Sequence, residues 1–420
     1  MKTFLYQSVT LLLAILLSST VSLQAETTNK NGDYITVCGV VKNKGNNKRL
    51  EYANVTIKGT NVGTVTNENG EFTLKVKNDL QAQLVTISHV GFINEEIRLT
   101  GNDMSNLTIS MIPQNNLLNE VIVRGDAENI IKDAIHRIKA NYGDKDCLLT
   151  GFYRETARKR QHYINISEAI IDVFKTTYNN RSTNSDRVQI IKGRKLLSDK
   201  SGDTLAVKLL GGPNLAVYVD VVKNPDVLLE EEDLMYYKFK MEEPTFIDHR
   251  LQYVISLSPR VNLPYALYFG RLYVDSESMA ITRAELSLDM SDRNKATQVI
   301  LMRKPFGLIF KPQEVTYLVD YKERDGRMCL NYVRNEVRFK CDWKRKLFST
   351  GYSVVSEMVV TDLNDENVKN IPHKVAFNLH DAFSDKVEAF TDEDFWGAYN
   401  IIAPTESLEK AVNKLKKQYK

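Results

Sequence analysis

The chain has 420 residues, enough for about two or three domains that each bury a core of their own. Its 56 Lys+Arg against 53 Asp+Glu leave a formal charge of +3, which argues against the broad basic surface of a nucleic-acid-binding protein. Twenty Tyr and 16 Phe beside only 10 Pro fit a strand-rich protein with aromatics on pleated faces, although composition alone does not separate this from a helical one.

Lys2 precedes a run from Val9 to Leu17 that is uncharged and apolar apart from Thr10. Ser18 to Ala25 then supplies small and polar residues ending in Leu23-Gln24-Ala25, the pattern of a cleaved export signal. The run is far shorter than the roughly 20 apolar residues of a membrane span. The expectation is export, with a mature chain that begins at or near Glu26 and carries no transmembrane segment. Cys38, the first cysteine, lies well beyond the cleavage point, so a lipoprotein anchor is not expected.

From about Tyr34 to Pro113 the pattern is all-β. Strands are predicted at Ile35–Val41, Tyr52–Ile57, Phe72–Val76, Leu84–Ile87, Glu96–Leu99 and Leu107–Met111, with turn residues at Lys58–Asn61 and Asn67–Gly70. Short strands at this spacing predict an antiparallel sandwich.

These residues carry a resemblance. Gly39-Val40-Val41, Leu50 to Thr60, and Gly63 to Phe72 resemble the carboxypeptidase-regulatory-like domain, and His89-Val90-Gly91-Phe92 stands where that family has a Tyr-Gly-Tyr or Val-Gly-Tyr turn. The resemblance covers about a fifth of the chain. It implies a seven-stranded, transthyretin-like sandwich of the kind found at the start of exported Bacteroidota envelope proteins. Gly59, Gly63 and Gly70 suit backbone positions with positive φ, and Phe72 begins a strand with its ring toward the core. A calcium loop at Asn67–Glu71 is disfavoured, because it offers only two carboxylates.

Leu117 to Gly125 resembles the segment that joins this module to the rest of such proteins. Outer-membrane transporters then continue into a plug and a long barrel. Here Asp126 can cap a helix in which Ile131, Ala134, Ile135 and Ile138 fall at helical spacing, so Ala127 to Tyr142 is predicted to be amphipathic. The outward apolar band with aromatic girdles is not repeated often enough, and a transporter barrel is not expected.

Beyond Gly143 long strands return: Thr150–Glu155, Tyr163–Val173, Leu251–Leu257, Tyr268–Asp275 and Met279–Leu286, with a hairpin at Ser276-Glu277-Ser278. Thr297–Arg303, Glu314–Lys322, Arg327–Lys340 and Tyr352–Leu363 are further candidates. Such a meander forms a curved antiparallel sheet or half-barrel. Gly151–Glu155 and Gly270–Glu285 resemble uncharacterised envelope proteins bearing the same N-terminal module. Thr405 can cap a last helix in which Leu408, Ala411, Val412 and Leu415 line one face and dock on the sheet.

The expected organisation is a signal peptide over 1–25, a sandwich over 26–113, a linker over 114–126 and an amphipathic helix over 127–142. A curved β domain over 143–390 follows, then an acidic turn and docking helix over 391–420. Cys329 and Cys341 flank one predicted strand and stand roughly 40 Å apart at about 3.3 Å per residue, beyond disulfide reach. Only a Cys38–Cys147 pairing is left open.

No catalytic constellation emerges. His89, His136, His162, His249, His373 and His380 begin neither a His-x-x-Glu nor a His-x-x-x-His pattern, and no nucleophile elbow, phosphate loop or dinucleotide fingerprint is present. Glu230–Asp233 and Asp392–Asp394 read as solvated faces, and Asp275 and Glu277 as turn residues. No catalytic, cofactor-binding or metal-binding residue is therefore assigned, and no cofactor. The expected function is a non-catalytic cell-envelope protein, periplasmic or associated with the outer membrane or cell surface, binding a partner protein or an apolar, lipid-like ligand. The alternatives are an envelope hydrolase with an unrecognised site on the β domain and a docking subunit of an outer-membrane assembly.

Overall fold

The structure is a computed structural model that describes residues 33–114, 126–200, 203, 205, 207–343, 349–378, 381–389 and 395–416. The export signal, most of the linker and Asp392–Asp394 lie outside the described residues.

Seven short strands build the N-terminal unit: β1 Tyr34–Asn43, β2 Asn54–Ile57, β3 Gly63–Val65, β4 Glu71–Lys77, β5 Leu84–Ser88, β6 Glu95–Arg98 and β7 Met104–Met111. They form two sheets, ordered β4-β1-β7 and β3-β2-β5-β6. Strand alternation sends Phe72, Leu74 and Val76 of β4 inward to meet Val55 of β2 and Val85 and Ile87 of β5, which closes a sandwich core. The sandwich is not wholly antiparallel, because β1 and β7 run parallel. Gly59 and Gly70 take the expected positive φ of 76° and 68°. Gly63 does not; its role is close approach, since a Cβ there would lie 2.5 Å from Thr56 Cγ2.

The second unit is a 12-stranded sheet. Its strands begin with β8 Cys147–Lys159, β9 His162–Lys175, β10 Arg187–Leu197, β12 Tyr237–Met241, β13 Thr245–Ile247 and β14 Arg250–Pro259. They continue with β15 Tyr268–Asp275, β16 Ile281–Leu288, β18 Leu308–Arg324, β19 Arg327–Trp343, β20 Thr350–Asn364 and β21 Glu388–Ala389. The order is β12-β14-β15-β16-β18-β19-β20-β8-β9-β10-β21, with β13 also on β14 and no pairing between the two ends, so the sheet stays open. All pairings are antiparallel except β10 with β21. A small separate ladder joins β11 Lys208–Leu209 to β17 Leu301–Arg303.

One face of the sheet is covered by helices. Asp126 caps α1, Ala127–His136, by accepting the Glu128 N–H. The predicted helix is broken at Arg137 and resumes as α2, Ile138–Asn141, and Tyr142 is already extended. Ile131, Ala134 and Ile138 bury against the large sheet together with α3, Pro213–Tyr218. A second correction concerns Thr297–Ile300, the first part of a predicted strand that is found only over Leu301–Arg303. Arg293–Ile300 is instead helix α4, capped by Asp292 through the Asn294 N–H, with Ala296 and Ile300 buried four residues apart.

The sheet curls toward this inner face. Asp220, fully buried, accepts the Tyr178 hydroxyl just past β9 at 2.8 Å and the Tyr321 hydroxyl of β18 at 2.7 Å, although four strand spacings separate those strands. Lys175 pairs with the same carboxylate at 2.8 Å and with Asp186 at 3.3 Å.

The outer face receives the sandwich. Tyr52 stacks on Tyr332 at 5.5 Å, Asn331 donates to Asn54 at 2.7 Å, and Lys322 donates to Thr56 at 2.7 Å. The Gly91 N–H of the predicted turn donates to Phe246 O at 2.7 Å. Val65 joins Phe152, Ile170, Tyr332, Trp396 and Ile402 in one apolar cluster, so the two units share a boundary while each keeps a core. The final helix, α5 Glu406–Lys416, is capped by Thr405 and docks Leu408 and Leu415 on Ile166 and Leu196 of the same outer face. All four cysteines are free, including Cys38 and Cys147.

Candidate functional site

The described residues enclose a cavity of about 750 Å³ on the inner face, within the size range of ligand sites. Strand register builds its floor. Val337 of β19 opposes Val354 of β20, Val354 opposes Ala157 of β8, and Asn165 and Leu197 continue the row across β9 and β10. The walls come from Val207 to Gly212, from Phe383 on a one-turn helix over 383–385, and from Arg303 to Phe306.

One row deeper, the floor turns polar. Glu155 opposes Ser356, and Ser356 opposes Asn335. Beyond that row the face is apolar again at Tyr153, Met358 and Val333. Glu155 Oε2 accepts the Tyr153 hydroxyl at 3.1 Å and the Gly212 N–H at 3.2 Å. Gly212 has φ +78°, and a Cβ there would stand 2.8 Å from the Phe377 ring, so only glycine lets this N–H reach the carboxyl. Burial pushes the Glu155 carboxyl above the usual carboxylate range, and these two hydrogen bonds only partly oppose it. Asn335 is 6% exposed, and its Oδ1 has no hydrogen-bond partner among the described residues.

A second, more open groove of about 800 Å³ runs along the outer face where Tyr52 of the sandwich meets Arg271, Arg283, Glu285 and Arg334. Its charges are mutually paired: Arg283 donates to Asp320 at 2.9 Å and to Glu285 at 2.8 Å, and Arg334 pairs with Glu336 at 2.8 Å and Glu68 at 2.7 Å. It reads as the seam between the units.

The residues weighed from sequence do not converge on either cavity. Asp275 is buried and ties its own hairpin, accepting the Glu277 and Ser278 N–H groups at 3.2 and 2.8 Å and the Arg250 guanidinium at 2.7 Å. Glu277 points to solvent. His136 and Glu231 come together at 3.1 Å as an exposed pair. Asp248 and His249 form a positive-φ turn between β13 and β14, where Asp248 accepts Asn94 at 3.1 Å. Asn67 organises its turn and donates to Ala403 O and Pro404 O at 3.2 Å. His380 lies outside the described residues. Sequence reading placed Glu155 on a strand but could not single it out, since its significance comes from Asn335, Ser356 and Gly212, each far away in the chain.

Residues 37–123 match the CarboxypepD_reg-like domain family. The CarboxypepD_reg-like match covers the sandwich and stops before the sheet that holds the cavity. No curated protein matches the chain. Among solved structures, a DUF1329 family protein from Desulfovibrio piger aligns with 60% of this chain and 99% of its own, at 12% identity and a TM-score of 0.25. Lipovitellin aligns with 60% of this chain at 6% identity and a TM-score of 0.27, and the match spans 28% of lipovitellin. Scores this low assign neither ligand nor activity.

Proposed function

We propose that the protein is exported to the cell envelope and that the inner face of its large sheet holds an apolar, lipid-like ligand without transforming it. The observation that carries this reading is the cavity of about 750 Å³, floored by Val337 and Val354 and walled by Leu209, Leu210 and Phe383. Apolar side chains facing a half-open cavity gain by covering apolar surface of a guest. The polar row beneath sets the guest's orientation. Asn335 Oδ1 calls for a hydrogen-bond donor, and Glu155 stands in the same polar row. A hydroxyl or amide headgroup meets that need.

Native mass spectrometry of protein purified from the envelope fraction tests the reading. A co-purifying amphiphile is expected in the wild type, and its loss in Val354→Trp, which fills the floor. Wild-type protein that is ligand-free and also fails to take up a fluorescent apolar probe overturns it. N-terminal sequencing of the same material is expected to start at or near Glu26; an intact Met1 overturns export by the predicted signal.

A further inference from the structure

The end of the large sheet that opens onto the cavity carries an unusual surface. The connection from β17 to β18 holds Phe306, which is 100% exposed, flanked by the exposed Met302 and Ile309. An aromatic ring held wholly in water by the fold gains nothing for stability, and it stands with two more exposed apolar side chains within eight residues of chain. Phe306 and Arg303 also line the cavity, so this tip stands at its mouth.

The charge around the tip is one-sided. Arg160 at the β8–β9 turn, Lys200 beyond β10, Arg303, Lys304, Lys311 and Lys340 are all exposed. They share one sheet end: Lys311 pairs in register with Lys340, Lys340 with Gly351, and the Arg160 N–H donates to Gly351 O at 2.8 Å. Lys311 pairs with Asp342 and Lys159 with Asp203, whereas Arg160, Lys200, Arg303 and Lys340 make no ion pair among the described residues. Asp199 is the carboxylate on these connections that stands against those four. Asp381 and Asp385 line the cavity itself, and Asp381 is paired with Lys386. The whole chain carries only +3, so this excess is local.

We infer that this end of the sheet docks on an anionic phospholipid bilayer, with Phe306 entering the interfacial layer and the surrounding cations meeting lipid phosphates. Aromatic rings favour the headgroup boundary, and each nearby Lys or Arg adds attraction to an anionic leaflet. Nucleic acid or an acidic protein would use the cations but has no use for a bare Phe306 between Met302 and Ile309, which is why the bilayer is favoured. Docking here places the cavity mouth against the lipid, and it does not depend on the cavity being occupied.

Flotation with vesicles of phosphatidylglycerol in phosphatidylcholine, beside vesicles of phosphatidylcholine alone, tests the inference. The full chain is expected to bind the anionic vesicles and to be released by salt. Replacing Arg160, Arg303 and Lys340 by Ser weakens binding about fivefold for each cation removed. Phe306→Ser abolishes flotation while melting like the wild type, because the side chain packs on nothing. Phe306→Trp shows a blue-shifted emission, relative to wild type, with anionic vesicles only. Val354→Trp, which blocks the cavity, keeps vesicle binding and so separates this inference from the ligand reading. Wild-type protein that binds neither vesicle overturns the proposal. So does Phe306→Ser that floats as well as wild type, which reduces the end to a plain anion-binding surface, and so does Phe306→Trp with unshifted emission.

Discussion

The two faces of the large sheet are built from alternate residues of the same strands, and they handle polarity in opposite ways. On the outer face Arg154 of β8, Glu168 of β9, Arg194 of β10 and Glu357 of β20 form a buried network, with Arg154–Glu168 and Arg194–Glu168 contacts of 2.8 Å and Arg154–Glu357 of 3.2 Å. One residue along, on the inner face, stand Glu155, Ser167, Ser356 and Asn335. The outer charges cancel one another, and Arg154 also donates to Ile402 O at 2.7 Å, fastening the C-terminal segment beneath the sandwich. Although burial pushes the Glu168 carboxyl up, Arg154 and Arg194 together hold it below the usual carboxylate range. The inner row has an acceptor without a donor and a carboxyl pushed toward its neutral form. The four-residue outer network is paired within itself, whereas the inner row presents an acceptor that a guest's donor would meet.

That contrast breaks first if the outer row proves dispensable. Glu168→Ala removes the buried carboxylate that Arg154 and Arg194 share, leaving Arg154 with Glu357, and is expected to cost about 3–5 kcal/mol, read as a lowered midpoint in urea unfolding. A loss under about 1 kcal/mol, the range of an exposed pair, would remove the structural reading of that face. Lys175→Met is expected to cost a similar about 3–5 kcal/mol, because it strands Asp186 and Asp220 at the point where β9 and β18 are drawn together. The same urea titration checks it.

The inner row is expected to respond differently. Asn335→Leu removes the unmet acceptor while keeping the volume, so stability should stay within about 1 kcal/mol of wild type or rise. Retention of the co-purified ligand should fall, as mass spectrometry can record. A loss of stability comparable to Glu168→Ala would mean that Asn335 is framework like its outer-face neighbours.

Much of the fold could be read from the chain because its local signals agree. The alternation in Phe72–Val76, the Asp126 and Thr405 caps and the hairpin around Ser276-Glu277-Ser278 all stand where the sequence places them. Thr297–Arg303 is a strand only over Leu301–Arg303; before that its Val and Ile look like a strand, whereas the Asp292 cap and the Ala296–Ile300 spacing win locally. The pairing of β8 with β20, which sets Glu155 beside Ser356, joins segments about two hundred residues apart, and no local pattern encodes it. The polar row was illegible for the same reason. Glu155, Asn335 and Ser356 are each unremarkable on their own strands, and only register and the positive φ of Gly212 make them one feature.

The smallest effect, and the one that most sharpens the contrast, concerns pH. Glu155 is raised by burial and Glu168 is lowered by its guanidinium partners, although both are buried carboxyls on neighbouring strands. A carboxyl whose folded pKa is raised binds its proton more tightly in the folded state. Its contribution to stability is fully present below the unfolded value of 4.5 and is lost as pH rises through the folded value. Glu168 runs the other way: its contribution is present above the unfolded value of 4.5 and disappears as pH falls through the lowered one. Glu155→Gln keeps an oxygen for Tyr153 and the Gly212 N–H while removing the charge. Thermal melts are therefore expected to coincide with wild type near pH 4 and to rise above it as pH climbs through the raised folded value, because the wild type alone then acquires a buried anion. A Glu155→Gln protein that melts below wild type at pH 8 would show that the carboxylate is held by a cation, and the inner row would then belong with the paired architecture of the outer one.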